Sequence, residues 1–195
     1  DTGISEAAAI SIAAGMAKEG KKPFIYAIAP FITLRIQEFH KLNAGVQKLP
    51  YHTIGMGTGF SYADSGPTHY NTEDIALMRS VPNMEILSPS DSIMAAEFAE
   101  YAVNSKGPTY LRLERSVQPI LSAIGESFDG NFKELKRGED ACIVSTGNMV
   151  HNALRASEKL KKEGIDVGII DIYRLKPLDV EPLAEALKPY NKVVS

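Results

Sequence analysis

The sequence predicts an α/β protein, built as two three-layer αβα units with mostly parallel sheets. Three observations lead there. Short apolar runs alternate with helical patterns along nearly the whole chain, which is the rhythm of βαβ units. That rhythm breaks once, over 116–138, where Pro119, Gly125, Gly130 and Gly138 lie scattered among charges, and then resumes. A chain of 195 residues, 44% hydrophobic and 23% charged, is long and apolar enough for one large α/β domain or two small ones.

The elements follow in order. Ala-rich ISEAAAISIAAGMAKEG (4–20) is a helix ending on Gly20, and KPFIYAIAP (22–30) reads as a buried strand. In 33–48, Leu34, Ile36, Phe39, Leu42 and Val46 fall at helical spacing. YHTIGMGTG (51–59) is a strand running into a glycine loop, 72–80 a short helix, and 84–89 a strand closed by a proline. An amphipathic helix covers 90–105, with Ser90 or Asp91 placed to cap it, and 107–115 is the last strand before the break. The segment 116–138 is expected to link two domains. Beyond it come strand 141–147, helix 148–163, strand 167–175, helix 179–189 and the start of a strand at 191–195. Neither half contains an internal repeat.

Composition removes several function classes. A net charge of −3 carries no basic excess for nucleic acid. No apolar run approaches the roughly 20 residues of a membrane span. The only cysteine, Cys142, sits in the apolar run ACIVSTG, so no disulfide can form within the chain and a reducing, cytoplasmic compartment is expected. No secretory signal is visible. Asp1 opens directly on a helical pattern and Ser195 closes inside a strand, so both ends read as cut.

In parallel α/β sheets ligands bind beyond the carboxyl ends of the strands. The loop after 51–57, the end of the strand at 24–29, and Arg112 and Arg115 at the end of 107–115 all lie there. Locally, Glu6 reads as a carboxylate complementing a helix dipole, worth less than about 1 kcal/mol. Arg112 and Arg115 likewise read as solvated or paired side chains. GMGTG lacks the third spaced glycine of a dinucleotide loop and is followed by a loop, not a helix. His69, after Gly66-Pro67-Thr68, is evenly balanced between a contact with the end of helix 72–80, which Thr68 or Asn71 could cap, and proton transfer near neutral pH.

The ordered motifs GISE (3–6), PFIYAIAPF (23–31), SGPTH (65–69), VPNM (81–84), SPSD (88–91), GPTYLRLER (107–115) and RLKPLD (174–179) resemble the transketolase family over nearly the whole chain. Relatives of that family include 1-deoxyxylulose-5-phosphate synthase and the beta subunits of 2-oxo acid dehydrogenases. The resemblance implies a thiamine-diphosphate pyrimidine-binding domain over 1–120, a linker over 121–138 and the start of the transketolase C-terminal domain over 139–195. It implies that Glu6 bonds the N1′ atom of the aminopyrimidine, favouring the imino tautomer that takes the thiazolium C2 proton. Phe31 matches a ring that packs on the pyrimidine, and Ile28 a second position that is commonly Phe. His69 matches a histidine that contacts substrate. Arg115, with Arg112 beside it, matches basic residues that hold a sugar phosphate.

The chain departs from the family pattern at Ser65, where an acid reading the hydroxyl beside the ketose carbonyl is usual. Asp64 stands one place earlier. Gly57 replaces a histidine that assists phosphate binding, and Ala7 follows Glu6 where Gln, Asn or Phe is usual. These departures bear on the sugar more than on the cofactor. No Gly-Asp-Gly segment with a downstream Asn, the family's diphosphate and Mg²⁺ site, occurs in the sequence. The resemblance therefore implies a partner: a diphosphate-binding N-terminal section, as a separate subunit or part of a longer chain, in a homodimer or α2β2 assembly. The expected activity is transfer of a two-carbon ketol unit between small sugar molecules. A deoxyxylulose-phosphate-synthase-like enzyme, a 2-oxo acid dehydrogenase beta subunit and a non-catalytic structural half are the rivals.

Overall fold

The computed structural model describes residues 1–195. The chain forms two compact units, one of residues 1–87 and 98–116, the other of 88–97 and 117–195.

In chain order the elements are α1 (Glu6–Lys18), β1 (Phe24–Ile28), α2 (Ala29–Ile32), α3 (Gln37–His40), a π-helical turn at Lys41–Val46, β2 (His52–Met56), a 3₁₀ turn at Ala63–Ser65, α4 (Asp74–Ser80), β3 (Glu85–Leu87), α5 (Ser92–Asn104) and β4 (Thr109–Leu113). β1, β2, β4 and β3 lie side by side in that order, all parallel. Ile10, Ala13, Ala14 and Ala17 of α1 are buried, as are Ile25, Ile86, Tyr110 and Leu111 on the strands and Phe98 of α5.

Two expectations change here. β1 is not buried throughout: Ile25 is enclosed while Phe24 and Tyr26 are open, the alternation of a strand covered on one face. The helix expected over 33–48 is broken into a short α3 and the π turn. Side-chain hydrogen bonds reach backbone carbonyls near both ends of the segment. The Asn83 side-chain amide donates to the Gly45 carbonyl at 2.9 Å, and Thr33 Oγ1 donates back to the Ala29 carbonyl at 2.7 Å. His40 is fully buried, with Nε2 against the Ile32 carbonyl at 2.8 Å and Nδ1 against the Tyr51 hydroxyl at 3.0 Å. Desolvation pushes its pKa down to about 4 despite the backbone bond, so it is a neutral core histidine.

The second unit holds β5 (Phe132–Lys136), β6 (Ala141–Ser145), α6 (Met149–Lys162), β7 (Val167–Ile172), β8 (Arg174–Lys176), α7 (Val180–Leu187) and β9 (Val193–Val194). Its sheet runs β5-β7-β6-β9, with β6, β7 and β9 parallel and β5 antiparallel to β7. Adjacent residues of β7 serve opposite faces. Ile170 packs with Cys142, Tyr190 and Leu183 and Leu187 of α7; Val167 and Ile169 pack with Ala153, Leu154 and Leu160 of α6. β5 lies inside the stretch expected to be linker. Phe132 pairs with Ile172 and packs on the Cys142 cluster, while Leu135 joins the α6 side, so two apolar residues among charges suffice for an edge strand.

Asp91, not Ser90, caps α5: its Oδ1 accepts the Met94 N–H at 2.8 Å. Its other oxygen accepts the Leu121 and Ser122 N–H groups, each at 2.7 Å. Burial alone would raise its pKa, but these bonds hold the carboxyl below the usual carboxylate range.

Asp171 is fully buried on β7. Burial pushes its carboxyl up to about 7; the Ser90 hydroxyl opposes the rise, Asp91 adds to it and Lys133 offsets it. An acid whose pKa is higher folded than unfolded favours the fold at low pH. That contribution is lost as pH rises from the unfolded value of 3.8 to about 7. Asp171→Asn should therefore gain stability relative to wild type between pH 5 and pH 8, read as melting temperature at both values. A constant difference between the two proteins would refute this.

Candidate functional site

Ile28, Met56 and Leu113, the last residues of β1, β2 and β4, lie in one register across three parallel strands. The chain leaving each strand therefore enters the same side of the sheet: α2 after β1, the loop 57–71 after β2, and Glu114 and Arg115 after β4. Ile28 is half-buried at this edge.

Glu6 stands in the first turn of α1, with a side chain only 11% exposed. Arg35 Nη1 donates to its Oε2 at 3.0 Å. The same guanidinium lies over the Phe31 ring, 4.3 Å from its centroid, and the Phe31 ring meets His69 edge-on at 5.1 Å between centroids. Glu6, Arg35, Phe31 and His69 thus form one contiguous group.

His69 is half-buried on the loop. Its N–H donates to the Gly66 carbonyl at 3.0 Å, and Nδ1 pairs with Thr68 Oγ1 at 2.9 Å, leaving Nε2 to face other partners. Neither Thr68 nor Asn71 caps α4; its N-cap residue is Glu73, which makes no side-chain capping bond. Asn71 instead closes the neck of the loop, exchanging two 2.9 Å backbone bonds with Gly59. The loop turns sharply at Gly57, whose φ is +74° and where a Cβ would lie 2.1 Å from the Tyr62 ring.

Arg112 and Arg115 part company. Arg112 Nε bonds Asp74 Oδ2 at 2.8 Å, and its Nη1 is 4.0 Å from Glu114. The Tyr110 hydroxyl donates to the same Asp74 oxygen at 2.9 Å; burial, and the Asp74 charge beside it, push that hydroxyl well above its ordinary pKa, so it stays a donor. The Arg112 guanidinium, expected to reach substrate phosphate, is thereby committed to buried acids. Arg115 is half exposed, 4.9 Å over the Tyr62 ring and 3.9 Å from Asp64. With Ser61 and Ser116 it lines a cavity of about 340 Å³. Ser65 and Asp64 are both exposed in the 3₁₀ turn. A larger hollow of about 560 Å³ in the second unit, lined by residues such as Ile143, Val144, Met149 and Ile172, holds no acid or base.

Sequence reasoning missed Arg35, Tyr62 and Glu114. Arg35 follows Phe31 by four residues, a helical interval, and Glu114 follows Arg112 by two, the same-face interval of a strand, so both signals were present.

These features define an α/β unit that gathers an acid, an aromatic ring, an imidazole and an arginine at the carboxyl edge of a parallel sheet. The chain matches the transketolase pyrimidine-binding domain over residues 1–119 and the transketolase C-terminal domain over 130–195. It is 36% identical over 199 residues to a transketolase family protein of Sinorhizobium fredii, covering 98% of this chain and 56% of that protein. It is 30% identical over 196 residues to an apulose-4-phosphate transketolase subunit of Actinobacillus succinogenes, covering all of this chain and 63% of that one. A solved split gene transketolase, an inactive β4 tetramer, superposes with a TM-score of 0.87 at 33% identity, covering 96% of this chain and 61% of that one. The chain belongs to the transketolase family and spans less than two thirds of these relatives.

Arg112→Ala would leave the almost fully buried Asp74 charge with only the Tyr110 hydroxyl, at a cost of about 3 kcal/mol. Arg115→Ala, at an open ion pair, should stay within about 0.5 kcal/mol. Urea denaturation of both variants checks this; equal losses would contradict it.

Proposed function

We propose that this chain is the pyrimidine-binding and C-terminal section of a thiamine-diphosphate-dependent transketolase. Residues 1–120 take the pyrimidine end of the cofactor, 121–138 connect and lend β5 to the second sheet, and 139–195 continue the C-terminal domain. One observation carries the reading: the Arg35 guanidinium, a flat array of nitrogen donors, stacks on Phe31 and bonds Glu6 beside His69. An aminopyrimidine needs the same pair of contacts, an aromatic face and an acid in its plane, so the residues fit the group.

When bound, the cofactor would supply a carbon nucleophile for the ketose carbonyl. Glu6 would share a proton with the ring nitrogen, in a setting where an enclosed carboxylate can do so. Phe31, with Ile28 beside it, would stack on the ring and exclude water. Thr68 holds His69 Nδ1, which leaves Nε2 to give or take a proton at a substrate oxygen. Asp64 and Ser65 would meet the sugar hydroxyls, and Arg115, rather than Arg112, would hold an anionic tail.

The diphosphate and Mg²⁺ fall to a partner section carrying the Gly-Asp-Gly and Asn residues, in a homodimer or an α2β2 assembly. The existence of relatives named as transketolase subunits supports a split enzyme. A reducing, cytoplasmic setting suits the buried thiol of Cys142.

The chain alone is expected to turn over no sugar. Mixed with its diphosphate-binding section, it should cleave a ketose donor and extend an aldose. Glu6→Ala should lower both turnover and deuterium exchange at the cofactor's C2 by about a hundredfold or more. A non-catalytic half would lose little of either. Consumption of pyruvate, with no ketose cleavage, would assign the chain to the deoxyxylulose-phosphate-synthase type instead.

A further inference from the structure

We infer that Glu114 is the positioning residue that fixes the substrate loop, and with it His69 and Arg115. This rests on the roles proposed above for those two residues. Glu114 is the first residue beyond β4, and its side chain is only 10% exposed. Each carboxylate oxygen accepts a hydroxyl from the loop that follows β2: Oε1 from Thr58 and Oε2 from Ser61. Thr58 is itself 2% exposed, so its hydroxyl has little access to water as an alternative.

Behind the carboxylate runs a chain of alternating charge. Arg112 Nη1 stands 4.0 Å from Glu114, Arg112 Nε bonds Asp74 at 2.8 Å, and the Tyr110 hydroxyl bonds Asp74 at 2.9 Å. Asp74 and Tyr110 are buried, so the brace is anchored in the core, and its free end reaches the loop. Arg112, at the middle of this chain, neutralises two acids and keeps the Glu114 carboxylate facing Thr58 and Ser61.

The loop transmits that position. Tyr62 directly follows Ser61, and its ring lies beneath the Arg115 guanidinium at 4.9 Å and 6.4 Å from the His69 ring. The Gly59–Asn71 bridge closes the far limb, so 57–71 is held at its neck by backbone and on its near limb by Glu114. With the carboxylate removed, the near limb loses the acceptor of its Thr58 and Ser61 hydroxyls and keeps its backbone bonds and the ring contacts of Phe60 and Tyr62, so the imidazole and the guanidinium lose their anchor to the core.

The test uses the assembled enzyme and its Glu114→Ala, Glu114→Gln and Thr58→Val/Ser61→Ala variants. Hydrogen exchange at the amides of 57–66 should accelerate about a hundredfold or more in Glu114→Ala, as expected for losing two charge-assisted bonds, while β2 and β4 exchange as in wild type. kcat should fall about tenfold through His69, and KM should rise for phosphorylated donors but not for uncharged ones. Glu114→Gln, which can still accept from one hydroxyl and donate to the other, should recover most of both effects. Should Glu114→Ala fail to fold, the Thr58→Val/Ser61→Ala pair removes the loop side of the same bonds and must give the same split. Unchanged loop exchange, unchanged kcat and KM in folded variants, or a Gln variant no better than Ala would each overturn the inference. If the wild-type enzyme transfers no ketol unit, the proposed function fails, yet the exchange measurement still decides the brace.

Discussion

Three parallel strands that end in the same register are the constraint on which the rest depends. Ile28, Met56 and Leu113 stop level with one another, so the segments leaving β1, β2 and β4 share one side of the sheet without any long excursion. Phe31 comes three residues after its strand and Glu114 one residue after its own. Distances of a few ångströms among Glu6, Phe31, Arg35 and His69 then follow from short connections. A shift of one residue between β2 and its neighbours would turn every side chain of the strand to the opposite face and carry the loop away with it.

The site is also electrostatically self-contained. From the core outward the charges run Asp74, Arg112, Glu114, then Arg115 and Asp64, so each formal charge has an opposite neighbour within 4.0 Å or is separated from one only by the Thr58 and Ser61 hydroxyls and the Tyr62 ring. Only Arg115 and Asp64 at the outer end are open to solvent. An anion entering from outside meets a cation already loosely paired, which favours exchange of partners over simple accumulation of charge. The inner pairs are enclosed and sustain shape instead.

Much of this was legible in the residues. Alternating apolar runs marked the strands, and the cap of α5 fell on one of the two residues expected. The ordered motifs pointed to the family. Other features depended on contacts between distant segments, which periodicity cannot register. The Asn83 amide that bonds Gly45 within the π turn at 41–46 comes from 38 residues away. Arg112 and Arg115 look alike on paper, yet strand alternation and a buried Asp74 separate a brace from a ligand. For Arg35, the interval from Phe31 is legible locally, but the pairing with an acid 29 residues earlier is not.

β5 shows how little apolar content a strand needs when a neighbour offers an open edge. Phe132 and Leu135 dock it, and the remaining positions are Lys133, Glu134 and Lys136. The pairing with β7 slips between Glu134 and Lys136. As the outermost strand of its sheet, it presents lysines and an irregular ladder where a flat apolar edge would recruit another chain. The charges that made this stretch resemble a linker guard this edge of the sheet against pairing with another chain.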